Sequence, residues 1–148
     1  MRRFPTGVAV VTVDVEGEQL GLTVGSLVSL SLEPPLVGIA ISRQAALHEL
    51  VRAGGAFAAS FLGAAQDGLA RHFARGVPPI ALWYGIATRP GLATGAPLIY
   101  GALGWLECRL AAEHPAGDHT FFVGEVLATE LGAEGAPLVH HDGDFAAG

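Results

Sequence analysis

The 148-residue chain contains no lysine and no asparagine, a single cysteine and a single methionine. One cysteine, Cys108, excludes an intrachain disulfide framework and any multi-cysteine zinc site. Charge is scarce too, at 15% of residues, and all eight basic residues are arginine. With 51% apolar residues, the chain lacks the polarity of a disordered segment. The net charge of −6 and the want of a basic stripe argue against a nucleic-acid backbone as partner. Every long apolar stretch is broken by Gly, Ser or Pro well before 18 residues, so no transmembrane helix is expected and a cytoplasmic protein is the default. No P-loop, nucleophile elbow or Rossmann glycine fingerprint is present.

What is abundant is glycine, with 21 residues, and proline, with nine, a punctuation suited to short strands and tight turns. The length fits one domain spanning residues 1–148. Val8–Val15 is β-branched and ends at Glu16-Gly17-Glu18, which reads as a strand and a hairpin turn. Leu20–Leu32 alternates with period two. Its even positions are mostly apolar, and its odd positions, including Thr23, Gly25, Ser29 and Ser31, are mostly small or hydroxylic. Further strands are expected at Leu36–Ile41, Ala56–Leu62, Ile99–Ala112, Thr120–Leu131 and Leu138–His141. Helices are expected at Gln44–Ala53 and Ala64–Arg75, and a loop from Gly76 to Pro97 carries Trp83-Tyr84 as its anchor. Six to eight strands with two short helices predict a mainly β protein, a small closed or partly open barrel.

Few residues offer chemistry. The hydroxylic positions Thr23, Ser29 and Ser31, beside Gly25 and Ser26, either let a flat ligand or a phosphate approach the backbone or form an ordinary solvent-facing strand surface. Arg43 follows a strand and is one of few cations able to meet a phosphate; a solvated surface charge is the plainer reading. His119, in Gly117-Asp118-His119, is set to project from a strand start near a barrel rim, where a group titrating near neutrality can donate a hydrogen bond or a proton. Adjacent His140 and His141 point to opposite faces of a strand and do not make a metal site, and no other spacing suggests one.

Together the motifs carry a resemblance. Phe4-Pro5-Thr6-Gly7-Val8, Gly21-Leu22-Thr23-Val24-Gly25-Ser26, Ser29-Leu30-Ser31-Leu32-Glu33-Pro34-Pro35, Arg89-Pro90-Gly91, Trp105-Leu106-Glu107-Cys108 and Gly117-Asp118-His119 occur in one order over nearly the whole chain. In this the chain resembles the short-chain flavin reductases, NAD(P)H:flavin oxidoreductases with an FMN-binding split β-barrel of Greek-key type. The resemblance implies hydride transfer from NADH or NADPH to FMN or FAD; the alternative is a flavin-binding redox carrier or sensor without turnover. It implies flavin contacts from Thr23, Gly25, Ser26, Ser29, Ser31, Ser42, Arg43, His72 and Phe73. It implies that His119 stands where nicotinamide docks, as the candidate catalytic residue with an orienting role, and that His140, His141, Asp142 and Gly143 belong to the nucleotide's side. A homodimer is implied as well, with the Gly76–Pro97 segment and Trp83 as a candidate arm, and so is a flavin-dependent monooxygenase as partner. The chain departs from the family at Ala45 and Ala46, which replace hydroxylic or basic residues. It departs also at Ser60, which replaces Asn, and at His140 and Asp142, which replace an aromatic and an Arg.

Overall fold

The computed structural model describes all of residues 1–148, and the β-branched run near the start becomes one strand of a hairpin at the edge of its main sheet. After a two-residue strand β1 (Thr6–Gly7), β2 (Ala9–Val15) and β3 (Glu18–Val24) pair antiparallel across the Glu16-Gly17 turn. Next come β4 (Val28–Leu32), β5 (Pro35–Ser42), helix α1 (Ala46–Gly54) and β6 (Ala56–Phe61). A 3₁₀ turn at Ala64–Gln66 leads into α2 (Asp67–Ala74). The rest is α3 (Pro79–Leu82), β7 (Thr88–Pro90), β8 (Pro97–Ile99), the long hairpin β9 (Gly104–Ala116) and β10 (His119–Leu131), then β11 (Leu138–His141) and β12 (Asp144–Ala147).

Seven strands form one antiparallel sheet in the order β3-β2-β6-β9-β10-β5-β4. Its inner face buries Val11, Val13, Ile39, Ile41, Phe57, Cys108 and Phe122, and α1 closes this core with Leu47 and Val51. Gly124 lets the core close: a Cβ there would stand 2.7 Å from Phe57 Cζ and 2.8 Å from Cys108 Cβ. The short strand β8 is wholly buried and is stitched in by side chains. Thr12 Oγ1 donates to Pro97 O, Ile99 N–H donates to Ser60 Oγ, and Trp105 Nε1 donates to Ile99 O.

The ladder does not close on itself. Its edges, β3 and β4, are consecutive in the chain yet do not pair, and Gly25–Leu27 joins them. The single strand expected over Leu20–Leu32 is therefore two strands, and the alternation loses its phase at the link. Before it, Val24 is buried; after it, Leu27 packs on the core while Val28, Leu30 and Leu32 of the edge strand are exposed. Other expectations also shift. The presumed loop over 76–97 holds α3 and β7, because Leu82 is buried against α2 and β7 pairs with β8. The expected strand Ile99–Ala112 divides at the Tyr100–Leu103 turn, and its second part runs on to Ala116. β12 follows the Asp142-Gly143 turn as a partner for β11.

Candidate active site

The place where the sheet fails to close is also where a cleft opens. One wall is β3 and its link, from Leu22 to Ser26; the other is Ala40 and Ser42 of β5 with His119 of β10. Thr6, His140 and the N-terminal residues Met1, Arg2 and Phe4 complete the lining. The cavity measures about 480 Å³, within the size range of small-molecule sites. Ser26 spans the seam itself: its hydroxyl donates to Ala40 O and accepts from Ala40 N–H, both at 3.0 Å. One side chain thus stands in for the ladder that β3 and β5 do not form.

His119 faces Ser42 across the β5–β10 ladder. Its Nδ1–H donates to Asp118 Oδ1 at 2.7 Å, which fixes the ring and leaves Nε2 without a protein partner. That hydrogen bond holds the Asp118 carboxyl below the usual aspartate range, and the positive charge of Arg43 acts in the same direction. Ser42 Oγ accepts from Gln44 N–H at 3.2 Å and keeps its own proton available. The N-terminal segment is tied across the opening: Arg2 Nη2 donates to Asp142 O, and Asp142 N–H donates to Arg2 O.

Charge is distributed unevenly around this cleft. Arg52, Arg71, Arg89 and Arg109 are paired with carboxylates. Arg2, Arg3, Arg43 and Arg75 are not; Arg2 lines the cleft, and Arg3 and Arg43 are chain neighbours of lining residues. Arg75 lines a second groove of about 260 Å³, bounded by Gln44–Leu47 and Ala74–Val77, which meets the first at Leu22. In a protein of net charge −6, an uncompensated cation thus stands in each of the two adjoining grooves, Arg2 in one and Arg75 in the other.

Of the residues singled out by sequence, the structure brings Thr23, Gly25, Ser26, Ser42, His119 and His140 to one cleft. Several others it places elsewhere. Ser29 and Ser31 stand on β4, beyond the link and outside the cleft. Phe73 is a core residue, 1% exposed and packed on Trp83. His72 Nε2–H donates to Leu82 O, so the pair anchors α3 rather than facing the cleft. Arg43 flanks the lining without joining it. His141 points away from the cleft beside the Asp142 carboxylate, and Gly143, with φ of 80°, makes room for the Arg2 guanidinium. The Thr23 hydroxyl is engaged as a donor to Ala70 O at 2.7 Å, so it fixes α2 against β3. Trp83 is no arm: its Nε1 donates to Gln19 O of the same chain, the loop-anchoring role, and Ile80 and Tyr84 are the exposed residues there. No three His, Cys, Asp or Glu side chains are placed to share a metal ion.

Thr6, Arg2 and Leu22 were not picked out by sequence reasoning. The only signal for Thr6 was its place in the Phe4–Val8 motif. What makes it a site residue is the β1–β11 pairing, which sets Thr6 opposite His140.

The residues present fit a planar heteroaromatic group with a polar edge. The link offers bare backbone at Gly25, where a Cβ would stand 2.6 Å from Thr6 Oγ1, and that oxygen is buried without a partner. The chain matches the flavin reductase like domain family over residues 1–148. It is 41% identical over 140 residues to the reductase component of 4-hydroxyphenylacetate 3-monooxygenase from Thermus thermophilus, covering 95% of this chain and 87% of that one. It superposes with a TM-score of 0.89, at 39% identity, on the flavin reductase component of a bacterial two-component tryptophan halogenase, covering 99% and 92% of the two chains. The NADH:FAD oxidoreductase of Streptomyces globisporus, solved in complex with NAD and FAD fragments, gives a TM-score of 0.91 at 39% identity, over 97% and 85%. Matched from its first residue to its last, the chain belongs to the flavin reductase like domain family.

Proposed function

We propose that the seam cleft is the active site of an NADH-dependent flavin reductase, with flavin on the β3 link and nicotinamide on the His119 side. The observation that carries this reading is the meeting of an open backbone surface, an oriented His119 and the uncompensated Arg2 at one cleft. Bound flavin supplies the acceptor for the hydride that NADH donates. The protein's task is then to orient two flat rings and exclude water, and neither demands a side-chain acid or base.

Each residue has a part in that task. Gly25 and the Ser26 backbone give close approach to a ring, while the Ser26 hydroxyl holds the seam at a fixed width. Ser42 keeps a proton for a ribityl or phosphate oxygen, and Arg43 and Arg75 provide positive charge toward the flavin phosphate. Gln44 to Ala46 carry no hydroxyl or cation of their own, so these arginines hold that end. His119 Nε2 offers one hydrogen bond to the nicotinamide side, oriented by Asp118. Asp142 at the cleft mouth disfavours the additional phosphate of NADPH, which selects NADH.

Relatives that are reductase components of two-component monooxygenases support a flavin-dependent monooxygenase as consumer of the reduced flavin. A homodimer is part of the same reading. Val28, Leu30 and Leu32 on an unpaired edge strand leave an apolar surface for a second copy. Light scattering is then expected to give twice the 15.2 kDa chain mass.

The activity is tested by anaerobic mixing of flavin-loaded protein with NADH and, separately, NADPH, following flavin absorbance. Bleaching is expected with NADH and slower bleaching with NADPH. Flavin bound but bleached by neither donor would replace the enzyme with a redox carrier.

A further inference from the structure

One buried side-chain oxygen or nitrogen in the whole chain lacks a hydrogen-bond partner, and it is Thr6 Oγ1. Other buried hydroxyls are engaged. Thr12 donates to Pro97 O, Ser60 accepts from Ile99 N–H, and the Thr120 hydroxyl lies 2.7 Å from His48 Nε2. A chain that satisfies these groups and leaves one orphan has a reason for it at that spot.

The orphan's position suggests the reason. Thr6 lines the seam cleft together with His119 and lies directly across the ladder from His140. Gly25 lies against this oxygen: a Cβ added there would stand 2.6 Å from Oγ1. Gly25 belongs to the link between β3 and β4 and takes part in no ladder. A small displacement of this residue therefore breaks no strand pairing. A side chain at residue 25 would obstruct that movement and crowd the threonine.

Resting on the flavin reductase reading, we propose that Thr6 is a further ligand-binding residue, whose hydroxyl is satisfied by an amide-type edge of the bound ligand once Gly25 yields. The chemistry is adjacent N–H and C=O on a planar group. A hydroxyl meets it either way, by donating to the carbonyl or accepting from the N–H. Two sources in the reaction carry such an edge: the pyrimidine side of the flavin ring and the carboxamide of nicotinamide. An unpaired hydroxyl destabilises the ligand-free protein and favours the complex, so stability and affinity are in tension at this residue.

That opposition supplies the test. Thr6→Val keeps the branched shape and removes the hydroxyl, and Thr6→Ser keeps the hydroxyl. Three quantities are measured for each: flavin affinity by fluorescence quenching without nucleotide, KM for NADH at saturating flavin, and the melting temperature of ligand-free protein. Thr6→Val is expected to weaken one binding step about threefold to tenfold, the value of one hydrogen bond, while its melting temperature holds or rises. Thr6→Ser is expected to bind as the parent does. Loss in the flavin titration identifies the pyrimidine edge, and loss confined to KM for NADH identifies the carboxamide. Unchanged binding in both arms overturns the proposal. So does a lowered melting temperature with parallel loss in both arms, which marks a merely structural residue. Parent protein that neither binds flavin nor oxidises NADH instead removes the underlying reading of the cleft.

Discussion

Removing the His119 ring separates two accounts of how this cleft would work. The ring is held by Asp118 through Nδ1 and presents only Nε2, so on the proposed reading His119→Ala deletes a single hydrogen bond to the ligand. Its side chain is 42% exposed, which places the bond in partly screened surroundings rather than a sealed interior. A bond of that kind contributes about 0.5–1.5 kcal/mol, or about twofold to twelvefold in kcat/KM for NADH. Hydride transfer itself needs no proton from the protein, so no larger loss is expected. Asp118→Asn is milder still, because an amide oxygen continues to accept from Nδ1–H and only the charge is lost. The assay is steady-state NADH oxidation at saturating flavin, with flavin affinity titrated in parallel and expected to be unchanged. A general acid or base contributes typically about 10²–10⁴-fold. A loss of more than about a hundredfold in His119→Ala would therefore sink the orienting role, and so would an unaltered kcat/KM.

Ser60→Ala leaves the buried Ile99 N–H without its acceptor, costing about 1–3 kcal/mol and lowering Tm by roughly 3–10 °C, with flavin affinity intact; weakened flavin binding at unchanged Tm would contradict the stitching role given to β8. Burial pushes the Cys108 thiol up to about 12, and the neighbouring Glu107 charge adds to it, so a thiol-specific reagent at neutral pH should label only unfolded protein; stoichiometric labelling of the native state within minutes would refute this. The carboxyls of Glu49, Asp118 and Asp144 lie below their usual values, chiefly through hydrogen bonds from His48, His119 and Arg71. Depressed folded-state pKa values contribute stability that is full above the unfolded values and lost as pH falls through the folded ones, so Tm should be level near neutrality and decline below about pH 4. All three carboxylates are exposed, so added salt should shrink that decline, and a decline beginning above neutrality would count against it.

Strand patterning was legible wherever a strand has one buried face. The runs at Val8–Val15, Ala56–Leu62, Thr120–Leu131 and Leu138–His141 correspond to β2, β6, β10 and β11 within a residue or two. The two helices expected at Gln44–Ala53 and Ala64–Arg75 correspond to α1 and to the 3₁₀ turn with α2, and Trp83 anchors its segment as expected. The break at Gly25–Leu27 was not, because a period-two pattern reads through a link whose residues are as small or apolar as the strands beside it. The short elements α3, β7 and β8 were hidden for another reason: β8 is held by the side chains of Thr12, Ser60 and Trp105, α3 by His72, and β7 by its pairing with β8.

By itself, the sequence determined the class of the protein: its apolar content and glycine-rich punctuation favour a sheet with a buried face, and its ordered motifs point to one family. It also singled out Gly25, Ser26, Ser42, His119 and His140 as residues able to meet a ligand. Tertiary structure decided which of them meet, and that Ser29, Ser31, His72 and Phe73 do not join them. The reason is that strand pairing, not local propensity, places residues far apart in the chain side by side. Ser26 reaches Ala40 because the first hairpin comes up against β5 at the seam, Ser42 meets His119 through the β5–β10 ladder, and Thr6 meets His140 through the separate three-stranded sheet of β1, β11 and β12. The cleft is the remaining gap, a property of how the sheet ends rather than of any one segment.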